Sequence, residues 1–139
     1  MAARALKQGG RTRRPVIKIL LVDDDPLICL LGRELLESLG YRVEVARGGS
    51  EALQCYQENG PADLVILDYH LPGENGSQVL ARLKALDPQA RVLLATGFLA
   101  PWEMGRLKEQ GAVGLIYKPF RVQDLETQIQ KVLADRTGG

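Results

Sequence analysis

The chain is poor in the residues that thiol, imidazole and membrane chemistry would need. Its two cysteines, Cys29 and Cys55, fit apolar helix positions and lack the spacing of a metal site, so both are expected to be buried thiols of a reducing compartment. Its one histidine, His70, reads as a solvated loop residue rather than an imidazole ligand. Aromatic residues make up only 5% and no apolar run approaches the length of a membrane span, which describes an ordinary soluble globular protein without a membrane partner. No internal repeat or low-complexity segment is present, and 139 residues suit one domain with a proper core.

Acidic residues are missing from the start of the chain. Ahead of Pro15 stand Arg4, Lys7, Arg11, Arg13 and Arg14 with no Asp or Glu, so a net charge of +1 leaves −4 on the remainder. An acidic remainder argues against direct nucleic-acid binding by the domain itself. Residues 1–15 lack apolar side chains enough to bury and are expected to form a basic, disordered arm. Arg13-Arg14 is not followed by an apolar region long enough for export, since charge returns at Lys18 and Asp23; the expected location is the cytoplasm. The domain is expected over 16–135, with a frayed tail over 136–139.

What is present is organised around Val16 to Pro26, where a β-branched apolar run stops at Asp23, Asp24 and Asp25. Such a run suits a strand buried on both faces, and Asp25-Pro26 suits a helix start, with a capping carboxylate and a fixed φ. Two carboxylates about 4 Å apart repel by about 4 kcal/mol at an effective dielectric near 20, so the cluster calls for a cation or a raised pKa.

Further along, Ile28, Leu31, Leu35 and Leu39 recur at helical spacing before Gly40, and Arg42 to Ala46 alternates as a half-exposed edge strand. A second helix runs from Gly48-Gly49-Ser50 to Gly60-Pro61, and Leu64 to Leu67 is an apolar strand ending on Asp68. A turn-rich loop with Pro72-Gly73 and Asn75-Gly76 precedes a helix carrying Val79, Leu80, Leu83 and Leu86. Arg91 to Thr96 is a fourth strand, Pro101 to about Gln110 a fourth helix, Val113 to Tyr117 a fifth strand, and Val122, Leu125, Ile129 and Val132 mark the last helix. Five strands alternating with five helices specify an α/β fold, a doubly wound five-stranded parallel sheet with helices on both faces.

Ligands of such sheets bind beyond the carboxyl ends of the strands. At those ends stand Asp23 and Asp24 after the first strand, Asp68 after the third, Thr96 after the fourth and Lys118 after the fifth, while the second contributes nothing comparable. Carboxylates with room for water describe a Mg²⁺ site. A lysine and a hydroxyl facing the metal suit a transferring phosphoryl group, with an aspartate as nucleophile. Asp23 and Asp24 are better placed as metal ligands, and Asp68 stands alone on the central strand, so Asp68 is the expected nucleophile.

Leu-Val-Asp-Asp-Asp-Pro at 21–26, Leu-Val-Ile-Leu-Asp at 64–68, Leu-Pro-Gly-Glu-Asn-Gly at 71–76, Ala-Thr-Gly at 95–97 and Tyr-Lys-Pro-Phe at 117–120 closely resemble the receiver domain of bacterial two-component response regulators. The resemblance runs from about Val16 to Ala134 and implies a flavodoxin-like strand order 2-1-3-4-5. It further implies that Asp68 accepts phosphate from the histidine of a sensor kinase or phosphotransfer protein. Mg²⁺ would be held by Asp23, Asp24, Asp68 and the main-chain carbonyl of His70, and the phosphoryl oxygens by Thr96, Gly97 and Lys118. It implies a cis peptide at Lys118-Pro119, a downstream protein or output domain at the face of the fourth helix, fifth strand and fifth helix, and a homodimer formed on phosphorylation.

Some positions depart from the family's commonest pattern. Three residues before the lysine, where many receivers carry an aromatic switch, stands Leu115; His70 and Phe98 occupy positions that modulate the lifetime of the acyl phosphate, and Phe98 is placed to cover the site. Trp102 reads equally as a partner contact or as helix-edge packing. The chain suits a free-standing regulator, a relay intermediate or the receiver of a hybrid histidine kinase, with no output domain of its own. The rival reading is a Mg²⁺-dependent phosphohydrolase with a D-x-D nucleophile motif at Asp23 and Asp25, against which Leu27 stands where that motif usually has threonine or valine. A nucleotide-binding flavodoxin relative is disfavoured, because the acidic first loop would repel a phosphate.

Overall fold

The computed structural model describes residues 16–138, so the basic arm expected over 1–15 lies outside the described residues. Along them run β1 (Lys18–Val22), α1 (Pro26–Ser38), β2 (Arg42–Ala46), α2 (Gly49–Asn59), β3 (Leu64–Asp68), β4 (His70–Leu71), β5 (Glu74–Asn75), α3 (Gly76–Leu86), β6 (Val92–Thr96), α4 (Pro101–Glu109), β7 (Ala112–Tyr117) and α5 (Val122–Gly138). One parallel sheet has the order β2-β1-β3-β6-β7, which, counting its five strands alone, is the expected 2-1-3-4-5.

The inner strands are those whose runs are continuously apolar. β3 and β6 are buried along their whole length and β1 in all but Lys18, as a strand covered on both faces requires. Alternate residues serve opposite layers. Ile19, Leu21, Leu64, Ile66 and Leu93 pack with Leu36 of α1 and Leu125, Ile129 and Val132 of α5. Leu20, Val22, Val65, Leu67 and Leu94 pack with Ala52 and Tyr56 of α2, Val79, Leu80 and Leu83 of α3 and Leu107 of α4. The sheet is thereby covered by two helices on one face and three on the other.

Register aligns the carboxyl ends. Val22 pairs with Leu67, Asp68 with Ala95 and Thr96 with Tyr117, so the residues that follow β1, β3 and β7 emerge on one rim. Local chemistry sets the helix starts there. Asp25 accepts the N–H of Leu27 with Pro26 next in line, and Asn75 and Gln78 form a reciprocal capping box for α3. Gly40, at φ +97°, ends α1 in the left-handed conformation that glycine adopts without a Cβ penalty. Lys118-Pro119 is cis, as the resemblance implies.

Two expectations are corrected. The turn-rich loop after Asp68 is a miniature antiparallel hairpin, β4 with β5, folded at Pro72-Gly73; Gly73, at φ +77°, takes the position of such a turn that needs a positive φ. Cys29 is buried as expected, whereas Cys55 is only half-buried on α2, which lies against the edge of the sheet. Beyond Leu133, the last residue of α5 packed on the core, the helix runs on to Gly138.

Candidate functional site

Three of the strand-end carboxylates converge. Oxygens of Asp23, Asp24 and Asp68 all lie within 4.8 Å of one another. Asp23 is 2% exposed and Asp68 5%, at the ends of buried strands, while Asp24 is half-exposed at the rim. Facing the buried pair is the ammonium of Lys118, 2.8 Å from Asp23 Oδ2 and 3.3 Å from Asp68 Oδ2. Three carboxylates against one ammonium leave the cluster short of positive charge, so a hard divalent cation with oxygen ligands fits the donor set.

Each group is held by its surroundings. Asp23 accepts the N–H of Asp25 at 2.9 Å on Oδ1, and its own carbonyl accepts the thiol of Cys29 at 3.1 Å. Asp68 accepts the N–H of His70 on Oδ1 at 3.2 Å, which leaves Oδ2 toward Lys118. Burial pushes the Asp68 carboxyl above its ordinary pKa, aided by the charge of Asp23, against the opposing pull of the His70 N–H and Lys118. For Lys118 burial works against the charge, but the hydrogen bond to Asp23 and the charges of Asp68 and Asp23 outweigh it and raise the pKa, so the amine stays an ammonium.

The other anticipated residues are differently disposed. Thr96 is fully buried, but its hydroxyl is spent locally, donating to the carbonyl of Phe98 at 3.1 Å and accepting the Phe98 N–H at 3.3 Å. Gly97 beside it is exposed, with open space where a side chain would stand. His70 is exposed and its ring meets that of Tyr69 edge-on at 5.0 Å, in keeping with a solvated side chain. Phe98 does not cover the site: it is 74% exposed, because its main chain is turned back onto Thr96. Leu115 is half-buried against the layer of α2, α3 and α4, and Trp102 faces solvent at the start of α4.

Asp25 is separated from this cluster by its role in α1, where its Oδ1 accepts the N–H of Leu27 at 2.9 Å. The second strand adds no side chain to the cluster, but the residue after it supports the neighbouring loop. Arg47, just past β2, directs Nη2 to the main-chain carbonyl of Asp24 at 3.2 Å and so braces the loop carrying two of the carboxylates. An arginine after an edge strand is too common on surfaces to single it out; only the pairing of β2 with β1 brings it there.

Comparison with known proteins follows the same outline. Residues 19–130 match the family model of the response regulator receiver domain. The sporulation initiation phosphotransferase F of Bacillus subtilis is 34% identical over 116 residues, covering 84% of this chain and 93% of that protein. The transcriptional regulatory protein ZraR of Escherichia coli is 33% identical over 118 residues, covering 85% of this chain but 26% of that longer protein. Among solved structures, the CheY-like response regulator receiver domain protein of Methanospirillum hungatei superposes with a TM-score of 0.82 at 30% identity, covering 90% of this chain and all of that one.

Proposed function

Since this chain belongs to the response regulator receiver domain family, a family of signalling domains, we propose that it is a phosphorylation switch in which Asp68 takes a phosphoryl group from the phosphohistidine of a sensor kinase or phosphotransfer protein. The supporting observation is the bridging of Asp23 and Asp68 by Lys118 beside the third carboxylate, Asp24. In this reading Asp23, Asp24, Asp68 and the main-chain carbonyl of His70 hold Mg²⁺, which when bound neutralises phosphoryl oxygens. Asp68 Oδ2 attacks phosphorus, the bond from phosphorus to the donor nitrogen breaks, and Lys118 stays with the developing charge. Thr96 and Gly97 take the remaining phosphoryl oxygens once the Thr96 hydroxyl leaves Phe98. The only chemistry catalysed is gain and loss of the chain's own phosphoryl group.

The switch is read, in the cytoplasm, at the face of α4, β7 and α5. Trp102, Val113, Tyr117 and Val122 expose apolar area there, and a downstream protein or a second phosphorylated copy would cover it. The competing hydrolase would need Asp25 in the site as the second acid of its motif, and Asp25 is instead engaged as a helix cap.

The test is exposure to acetyl phosphate with Mg²⁺. A receiver takes up one hydroxylamine-labile phosphoryl group per chain, and chelation of Mg²⁺ or Asp68→Asn prevents it. Sustained turnover of an external phosphoester that survives Asp68→Asn and fails in Asp23→Asn would favour the hydrolase.

A further inference from the structure

Glu103 makes two bonds at the start of α4. Its Oε1 accepts the N–H of Ala100 at 3.3 Å, closing the first turn, and its Oε2 accepts the hydroxyl of Tyr69 at 3.0 Å. Tyr69 is the residue after Asp68 and is itself fixed. Its N–H donates to the carbonyl of Ala95 at 2.9 Å, and its carbonyl accepts the N–H of Gly76 at 2.7 Å. Its ring lies so near Gly76 that a Cβ there would come within 2.9 Å of Cδ1. Tyr69 is thus anchored by its main chain just after the strand of the phosphoacceptor, and Glu103 ties α4 to its phenol.

Between this tie and the site runs the segment 97–100. Thr96 spends its hydroxyl on Phe98 and must release it to meet a phosphoryl group on Asp68. Residues 97–100 then shift, and they end at Ala100, the residue that Glu103 grips. Leu115, which has no polar atom on its side chain, cannot supply a competing hydrogen bond at the position where many receivers carry an aromatic switch.

We propose that Tyr69 and Glu103 are positioning residues whose hydrogen bond holds segment 97–100 and the start of α4 in the resting arrangement, so that the link opposes phosphorylation. The inference rests on the reading of Asp68 as phosphoacceptor. A contact made in only one of two states weights that state, and a ligand that selects the other binds more tightly once the contact is removed.

The test is titration of the Mg²⁺-loaded chain with beryllofluoride, which mimics a phosphoryl group on an aspartate, for the natural sequence, Tyr69→Phe, Glu103→Gln and the double variant. Glu103→Gln keeps an oxygen for the N–H of Ala100 and removes the charge that Tyr69 meets; it carries the comparison alone should Tyr69→Phe fail to fold. Loss of a part-buried hydrogen bond of ordinary net worth from the resting state is expected to give about a three- to tenfold gain in beryllofluoride affinity. The double variant should gain no more than the larger single one. Amide exchange over 97–104 without beryllofluoride should quicken in Tyr69→Phe. Equal or weaker affinity in the variants, with the natural chain binding normally, would overturn the link alone. Failure of the natural chain to bind would remove the phosphoacceptor reading and the link together.

Discussion

The ammonium of Lys118 bridges Asp23 and Asp68, at 2.8 and 3.3 Å from one oxygen of each, and so occupies the two most buried carboxylates of the site. A cation of the protein's own therefore competes with any metal for Asp23. Lys118→Ala should bind Mg²⁺ more tightly, by about tenfold, because two uncompensated carboxylates draw a cation more strongly than a neutralised pair. The same variant should accept phosphate about a hundredfold more slowly for want of the ammonium at the phosphoryl oxygens. Mg²⁺ titration followed by backbone amide shifts reads the first effect; unchanged or weaker affinity would show that Lys118 does not compete.

Metal should also raise thermal stability, since the carboxylates come together only in the fold. At about a hundred times its Kd, Mg²⁺ should add about 2.7 kcal/mol, a rise in Tm of several degrees by calorimetry. Asp23→Asn should lose most of that increment, and an equal rise in that variant would place the metal elsewhere.

Gly76 opens α3 where a Cβ would lie 2.9 Å from the main-chain Cα of Tyr69 and 3.1 Å from Leu94 Cδ2. Backbone cannot yield as a flexible side-chain tip can, so Gly76→Ala should cost about 2 kcal/mol in urea unfolding. A neutral result would mean that the β4–β5 hairpin shifts without penalty.

Tyr56, on the buried face of α2, has its phenol pushed up to about 12 by burial and by the charge of Asp87. Because the folded pKa lies above the ordinary value of 10.0, the neutral phenol favours the fold; this contribution is whole below the unfolded pKa and is lost as pH rises through about 12. Between about pH 10 and 12 the natural chain should lose about 2 to 3 kcal/mol that Tyr56→Phe does not lose. Parallel loss in both, measured by urea unfolding across that range, would assign the alkaline effect to other groups.

The site was legible where charge interrupts a buried strand. Asp23, Asp24, Asp68 and Lys118 each end an apolar run, and parallel register must bring such ends together. What escaped depends on contacts between loops. β4 and β5 are two residues each, too short to show an alternation. The hold of Arg47 on Asp24 and that of Tyr69 on Glu103 join residues 23 and 34 apart, with no periodicity to connect them. Thr96 reads as a strand-end hydroxyl, but nothing in its sequence neighbours tells that it rests against Phe98.

The most direct measurement is the position of the covalent label. After brief treatment with acetyl phosphate and Mg²⁺, borohydride reduction and proteolysis, mass spectrometry should find the modified residue in the peptide containing Asp68, converted to homoserine at that position. A label at Asp23, Asp24 or Asp25, with Asp68 intact, would contradict the account.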